Sequence, residues 1–125
     1  MSDRALLRVT PQMNNANPRG DIFGGWLMSQ LDLAGMLLGA RQIKSAFATI
    51  AVKEMLFKQP IFALDEVSIY GEISRFGNTS FTVSLEAFVK RAPHYDNEAL
   101  LVGSAQIVYA TIKSPGEKNA ETIAH

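Results

Sequence analysis

The stretch Ile22-Phe23-Gly24-Gly25-Trp26-Leu27-Met28-Ser29-Gln30-Leu31-Asp32-Leu33-Ala34-Gly35-Met36-Leu37-Leu38-Gly39-Ala40 decides how this chain folds. Ile22, Phe23, Trp26, Leu27, Leu31, Ala34, Leu37 and Leu38 cover most of a helical wheel, the pattern of a helix enclosed by protein. Its length nears that of a membrane span, but Gln30 and Asp32 fall close to its middle. An aspartate at a bilayer centre costs roughly 2.5–3.5 kcal/mol, so a core helix is expected and membrane insertion is not. Gly35 gives up about 1 kcal/mol of helix propensity against alanine. With Ser29, Ala34 and Gly39 as small neighbours, it predicts close contact between helix and sheet.

Working outward, residues 11–20 are turn chemistry, with Asn14, Asn15, Asn17, Pro18 and Gly20 clustered, and residues 5–10 read as a short first strand. Four more strands follow the helix. Residues 47–57 alternate through Ile50 and Val52 and shift phase near Lys53 and Glu54, which predicts a bulge. Residues 66–75 alternate through Val67, Ile69, Gly71 and Ile73, and residues 80–89 through Phe81, Val83, Leu85 and Ala87. Residues 100–111 are apolar on both sides, as in a central strand. Phe76-Gly77-Asn78 is a hairpin link, and residues 91–98 form a longer polar loop. Strand, helix, then four tightly connected strands predict an α+β hot-dog fold: a five-stranded antiparallel sheet wrapped around one long central helix. Such a layer leaves one helix flank and an edge strand open, so a homodimer is the expected minimum. No repeat or linker divides the chain, and residues 1–125 read as one domain.

Composition narrows the chemistry. Twelve basic residues balance twelve acidic ones, which excludes a whole-surface attraction to nucleic acid or anionic membrane. With no cysteine, disulfides, thiolate nucleophiles and cysteine zinc sites are excluded together. That inventory, and an N-terminus without an apolar run of signal-peptide length, lead to the expectation of a cytoplasmic protein. There is no G-x-S-x-G and neither histidine, His94 nor His125, lies near the helix, so a serine triad is excluded. No ligand cluster of usable spacing suggests a metal.

The segment Asn17-Pro18-Arg19-Gly20-Asp21-Ile22-Phe23-Gly24-Gly25-Trp26 joins a turn to the helix start. The first N–H groups of a helix lack internal partners, and the helix dipole concentrates positive charge there. Gly24 and Gly25 carry no side chain to keep a ligand from those amides. Such a place suits a carbonyl oxygen that gains negative charge as water attacks. Asp21 is the only acid within a turn of it, able to act as base or as nucleophile. An aspartate before a helix is also the ordinary N-cap, and spacing alone leaves both readings open.

Residues 16–35, with the core NxxGDIFGGWLMSQLDLAG, resemble the signature of YciA-type acyl-CoA thioesterases. The similarity continues in Ile50-Ala51-Val52-Lys53-Glu54-Met55-Leu56-Phe57-Lys58-Gln59-Pro60-Ile61, in Gly77-Asn78-Thr79-Ser80 and in Val89-Lys90-Arg91. The resemblance implies a hot-dog fold, hydrolysis of acyl-CoA, and an active site between two subunits, with dimers in places assembled by threes. It implies Asp21 as the catalytic carboxylate, Asn17 as its neighbouring asparagine, and Gly24 and Gly25 as oxyanion-binding amides. Coenzyme A enters as part of the substrate, and no separate cofactor is expected. Its phosphates and pantetheine arm direct attention to Lys90, Arg91 and Lys58 at strand ends, and to Asn78, Thr79 and Ser80 at a glycine turn. The sequence departs from the family where its V-E-S-M pattern becomes Val52-Lys53-Glu54-Met55. A non-catalytic acyl-CoA binder is the alternative. A hot-dog hydratase would need D-x-x-x-x-H, and Trp26 stands where that histidine belongs.

Overall fold

The computed structural model describes residues 4–96, 98–112 and 123. Its elements run β1 (Leu7–Val9), a single 3-10 turn (Met13–Asn15), α1 (Gly24–Gln42), β2 (Phe47–Phe57), β3 (Glu66–Phe76), β4 (Ser80–Lys90) and β5 (Leu100–Thr111). The five strands form one antiparallel sheet in the order β1-β3-β4-β5-β2. The inward rows are those the alternation marks. Val67, Ile69, Gly71 and Ile73 pair with Val89, Ala87, Leu85 and Val83. Phe81, Val83, Leu85 and Ala87 pair in turn with Tyr109, Ile107, Ala105 and Gly103.

Against these rows α1 lays Trp26, Leu27, Leu31, Ala34, Gly35, Leu38 and Gly39, all buried. Each large apolar side chain so enclosed contributes roughly 1.5–3 kcal/mol. Helix and sheet meet most closely at Gly35. A Cβ there would overlap Tyr109 Oη and lie 2.8 Å from its Cζ. The Tyr109 hydroxyl donates to the Asp32 carbonyl at 2.8 Å and lies 3.0 Å from Asp32 Oδ1, which also accepts from Thr49 Oγ1 at 2.7 Å. Burial raises the Tyr109 pKa and the adjacent Asp32 raises it further, so the phenol stays a proton donor. The polar pair in mid-helix thus ties α1 to β5 and β2.

The bulge expected near Lys53 is present: the β2–β5 register slips between Val52 and Glu54, with another slip between Thr49 and Ala51. β5 is interior, as its two-sided apolar composition requires. Two bounds differ from expectation. β1 is shorter than residues 5–10, although Leu6 N–H still reaches Ile69 O at 2.7 Å. The helix starts at Gly24, because Asp21 and Ile22 are drawn into bridges with Phe62 and Ala16. Tertiary pairing overrides the apolar periodicity there.

One side is left uncovered. β2 is an edge strand of 11 residues with Ile50, Val52, Leu56 and Phe57 exposed. Met28, Leu33, Met36 and Leu37 are exposed on α1. Among the described residues no helix is long and apolar enough to cross a membrane.

Candidate active site

A tight turn builds the site. Gly20 N–H donates to Asn17 O at 2.9 Å, and Asn17 N–H to Asp21 O at 2.8 Å. Gly20 sits at φ +99°, a conformation glycine adopts without steric cost. Asn17 Oδ1 accepts from Arg19 N–H at 3.0 Å, which holds the Asn17 side chain inside the turn. The chain then runs extended through Asp21 and Ile22. Asp21 forms a bridge with Phe62, and Ile22 N–H donates to Ile61 O at 2.7 Å. Asp21 is not the N-cap: that position belongs to Phe23, with extended backbone and no side-chain cap. The alternative left open by spacing is thereby removed.

Asp21 faces a cavity of about 520 Å³, whose lining includes Asn17, Arg19, Gly24, Leu27, Phe57 and Lys58. A quarter of its side chain is exposed, yet Oδ1 is buried and has no hydrogen-bond partner among the described residues. Arg19 Nε stands 3.4 Å from that oxygen. The Asn17 side chain is the strongest influence holding the Asp21 carboxyl below the ordinary 3.8, Arg19 adds to it, and partial burial opposes both. The group is therefore a carboxylate at neutral pH.

One turn on, the helix presents its unpaired amides. Trp26 N–H is satisfied by Phe23 O at 3.1 Å, whereas the Gly24 and Gly25 N–H groups have no partner in the chain among the described residues. The Phe57 ring packs on Gly24, where a Cβ would lie 3.0 Å from Cε1. The Asp21 carboxylate, the Gly24 helix start and an apolar wall of Ile22, Leu27 and Phe57 thus share one crevice, whose lining does not include Gly25. That combination can hold a polar acyl carbon, deprotonate water beside it and offset charge on its oxygen.

The other candidates divide. Lys58 lines the cavity, at the end of β2. Lys90 pairs with Glu66 across β3–β4 and is not among the lining residues. Arg91 is engaged within the chain: Nη2 donates to Pro60 O at 2.8 Å, and Nη1 lies 4.0 Å from Asp65 Oδ2. Asn78, Thr79 and Ser80 occupy the β3–β4 turn, at the opposite end of the strands from Asp21. An 11-residue strand spans roughly 35 Å, so one chain does not bring that turn to its own cavity. Arg19 and Phe57 were missed as site residues. Arg19 had a signal, a cation two residues before the only acid, while Phe57 had only its place at a strand end. Among the described residues no group of three or more His, Cys, Asp and Glu is placed to hold a metal.

Known proteins share this architecture. A hexameric hotdog-fold thioesterase of Campylobacter jejuni superposes with TM-score 0.83 at 32% identity, over 94% of this chain and 89% of that one. A hexameric broad-specificity acyl-coenzyme A thioesterase gives 0.88 at 31% identity, over 98% and 88%. In sequence, an uncharacterized acyl-CoA thioester hydrolase of Haemophilus influenzae is 34% identical over 112 residues, 89% of this chain and 73% of that protein. The acyl-CoA thioester hydrolase YciA of Escherichia coli K12 is 36% identical over 86 residues, 69% of this chain. The match spans 65% of that relative, slightly under two thirds, and the same share of a Buchnera aphidicola relative. The Thioesterase superfamily profile matches residues 19–92, from the Asp21 turn through α1 to the end of β4. The fold is the hot-dog fold, and this chain belongs to the Thioesterase superfamily.

Proposed function

We propose that this protein hydrolyses acyl-CoA to a free acid and coenzyme A, with Asp21 as the reactive carboxylate. The observation that carries the proposal is the buried Asp21 Oδ1, without a hydrogen bond among the described residues, in a crevice that the Gly24 helix start also lines. A carboxylate oxygen can accept twice, so beside the Arg19 ion pair it still has room to accept from an attacking water. As general base, Asp21 takes a proton while the water oxygen bonds to the thioester carbon. The carbonyl oxygen becomes an oxyanion, for which Gly24 and Gly25 N–H are the nearby donors. Collapse breaks the carbon–sulfur bond and releases a thiolate. Thiols ionise near pH 8.5, so this leaving group needs no strong acid, and a site without histidine among the described residues is no obstacle. Direct attack by Asp21 would give an anhydride that water then opens, with the same net balance. Asn17 holds the carboxylate in place, and no cofactor is required.

Lys58 and Arg19 at the rim offer cations to the phosphates of coenzyme A. The turn at Asn78, Thr79 and Ser80 contributes through a second copy. If two β2 edges pair antiparallel, the Phe47 end of one lies beside the Phe57 end of the other. That brings the far turn of one chain toward the Asp21 cavity of its neighbour. The exposed apolar residues of β2 and α1 support such a dimer, and hexamers among the related structures support trimers of dimers. The cysteine-free sequence accords with a cytoplasmic setting.

The test is free-thiol release from a panel of acyl-CoAs. Activity is expected in the parent chain, with kcat reduced about 10²–10⁴-fold in Asp21→Asn. An Asp21→Asn protein that folds and turns over at the parent rate removes Asp21 from the chemistry. A parent chain that binds acyl-CoA and releases no thiol supports the non-catalytic binder instead.

A further inference from the structure

We propose that Arg91 is a positioning residue for Asp21, holding the loop against which the reactive carboxylate's backbone is paired. The proposal rests on the reading of Asp21 given above. The loop is residues 58–65, between β2 and β3. Its middle is the platform for the site: Phe62 bridges Asp21, and Ile61 O accepts from Ile22 N–H at 2.7 Å. Where this loop goes, Asp21 goes.

The loop is held at both ends: Lys58 and Gln59 N–H donate to Val102 O at 2.8 and 3.3 Å, and Tyr95 Oη donates to Leu64 O at 2.7 Å. It closes on Asp65, whose Oδ2 accepts from Phe62 N–H at 2.8 Å and whose own N–H reaches Phe62 O at 3.1 Å. Leu64, at φ 72°, sends its N–H to Pro11 O at 2.9 Å. Arg91, arriving from the end of β4, then touches the loop on both sides of the platform. Its Nη2 donates to Pro60 O at 2.8 Å, before Ile61. Its Nη1 lies 4.0 Å from Asp65 Oδ2, after Phe62. Between these contacts the guanidinium sits 4.7 Å from the centroid of the Phe62 ring. Pro60, Phe62 and Asp65 are therefore spanned by one rigid, planar cation.

The chemistry of the three contacts is specific to arginine. A guanidinium can donate along its edge to a carbonyl and a carboxylate while its face lies on an aromatic ring. Lysine offers a point charge and cannot do all three. The Asp65 side chain is 3% exposed, so its charge is screened little by water and draws Arg91 inward. Through Nη2, Arg91 donates to the chain itself. A misplacement of about 1 Å in a reacting group can cost on the order of 10²-fold in rate, so a loosened platform registers in kcat.

The experiment compares the parent chain with Arg91→Lys, Arg91→Ala, Asp65→Asn and Asp21→Asn on two substrates, an acyl-CoA and the corresponding acyl-pantetheine, which has no phosphates. Circular dichroism checks the fold of each. Arg91→Lys is expected to lower kcat about tenfold on both substrates, with KM for acyl-CoA nearly unchanged. It should also shift the acid limb of kcat/KM, because Asp21 moves relative to Asn17 and Arg19. Arg91→Ala should do the same more strongly. Asp65→Asn keeps an acceptor for Phe62 N–H and should show a smaller fall of the same kind, which serves if the alanine variant does not fold. A rise in KM for acyl-CoA alone would make Arg91 a phosphate contact and overturn the proposal. Unchanged kcat in folded Arg91→Lys and Asp65→Asn overturns it equally. Asp21→Asn separates the two readings: if it is inactive while the Arg91 variants are normal, only the positioning role falls.

Discussion

Gly35→Ala places a methyl group where α1 lies on β5. The new Cβ would overlap Tyr109 Oη, with Cζ at 2.8 Å and Cε2 at 3.0 Å. Tyr109 cannot step aside easily: it is buried, stacked on Phe81 with centroids 5.3 Å apart, and bonded through its hydroxyl to Asp32. Overpacking a close-packed core costs about 1–3 kcal/mol, and this overlap belongs at the upper end. Displacing the hydroxyl from its acceptor adds about 1–3 kcal/mol, while the helix propensity of alanine returns about 1 kcal/mol. The net expectation is a loss of about 3–5 kcal/mol. For a chain of 125 residues that is a fall in Tm of roughly 11–19 °C. The assay is thermal unfolding by circular dichroism at fixed protein concentration, since association would otherwise shift the midpoint. Gly35→Ala combined with Tyr109→Phe removes the nearest clashing atom, so the pair should be less destabilised than the sum of its singles by about 1 kcal/mol. A Gly35→Ala protein as stable as its parent, or more stable, would show helix propensity winning and would refute the close approach.

The pH dependence follows from the lowered pKa of Asp21. Its base form persists above that value, so the midpoint of the acid limb of kcat/KM for acyl-CoA is expected below the ordinary 3.8. The same depression stabilises the fold above the ordinary value, and that contribution is lost as pH drops through the folded-state pKa. Asn17→Ala removes the largest lowering influence and should move the acid limb upward; a limb left in place would detach Asn17 from Asp21. At the open edge, Ile50→Lys puts a charge on an exposed apolar strand and should shift the chain toward monomer in analytical ultracentrifugation, with loss of activity. An unchanged sedimentation profile would move the interface off β2.

Much of this was legible in one dimension because it depends on periodicity and local chemistry. The near-complete apolar wheel of α1 requires enclosure, and the two-residue alternation of Val67, Ile69, Gly71 and Ile73 sets which face of β3 turns inward. The phase slip at Lys53 announces the bulge that is found there. The turn at Asn17 and Gly20, followed by a lone acid and a Gly-Gly pair, marks the helix mouth as a place for chemistry. Such features need only neighbours along the chain.

What the tertiary structure decided are the matters that depend on groups far apart in sequence. Asp21 is extended backbone and not an N-cap because Phe62, 41 residues on, pairs with it. Arg91 lies on Phe62 and Pro60 because the end of β4 passes beside the β2–β3 loop, and no local pattern states that. The glycine turn at Asn78 stands a strand's length from Asp21, a separation set by strand pairing. Local sequence determines which conformations are cheap; the location of a charge depends on which distant segments are pressed together by burial of the core.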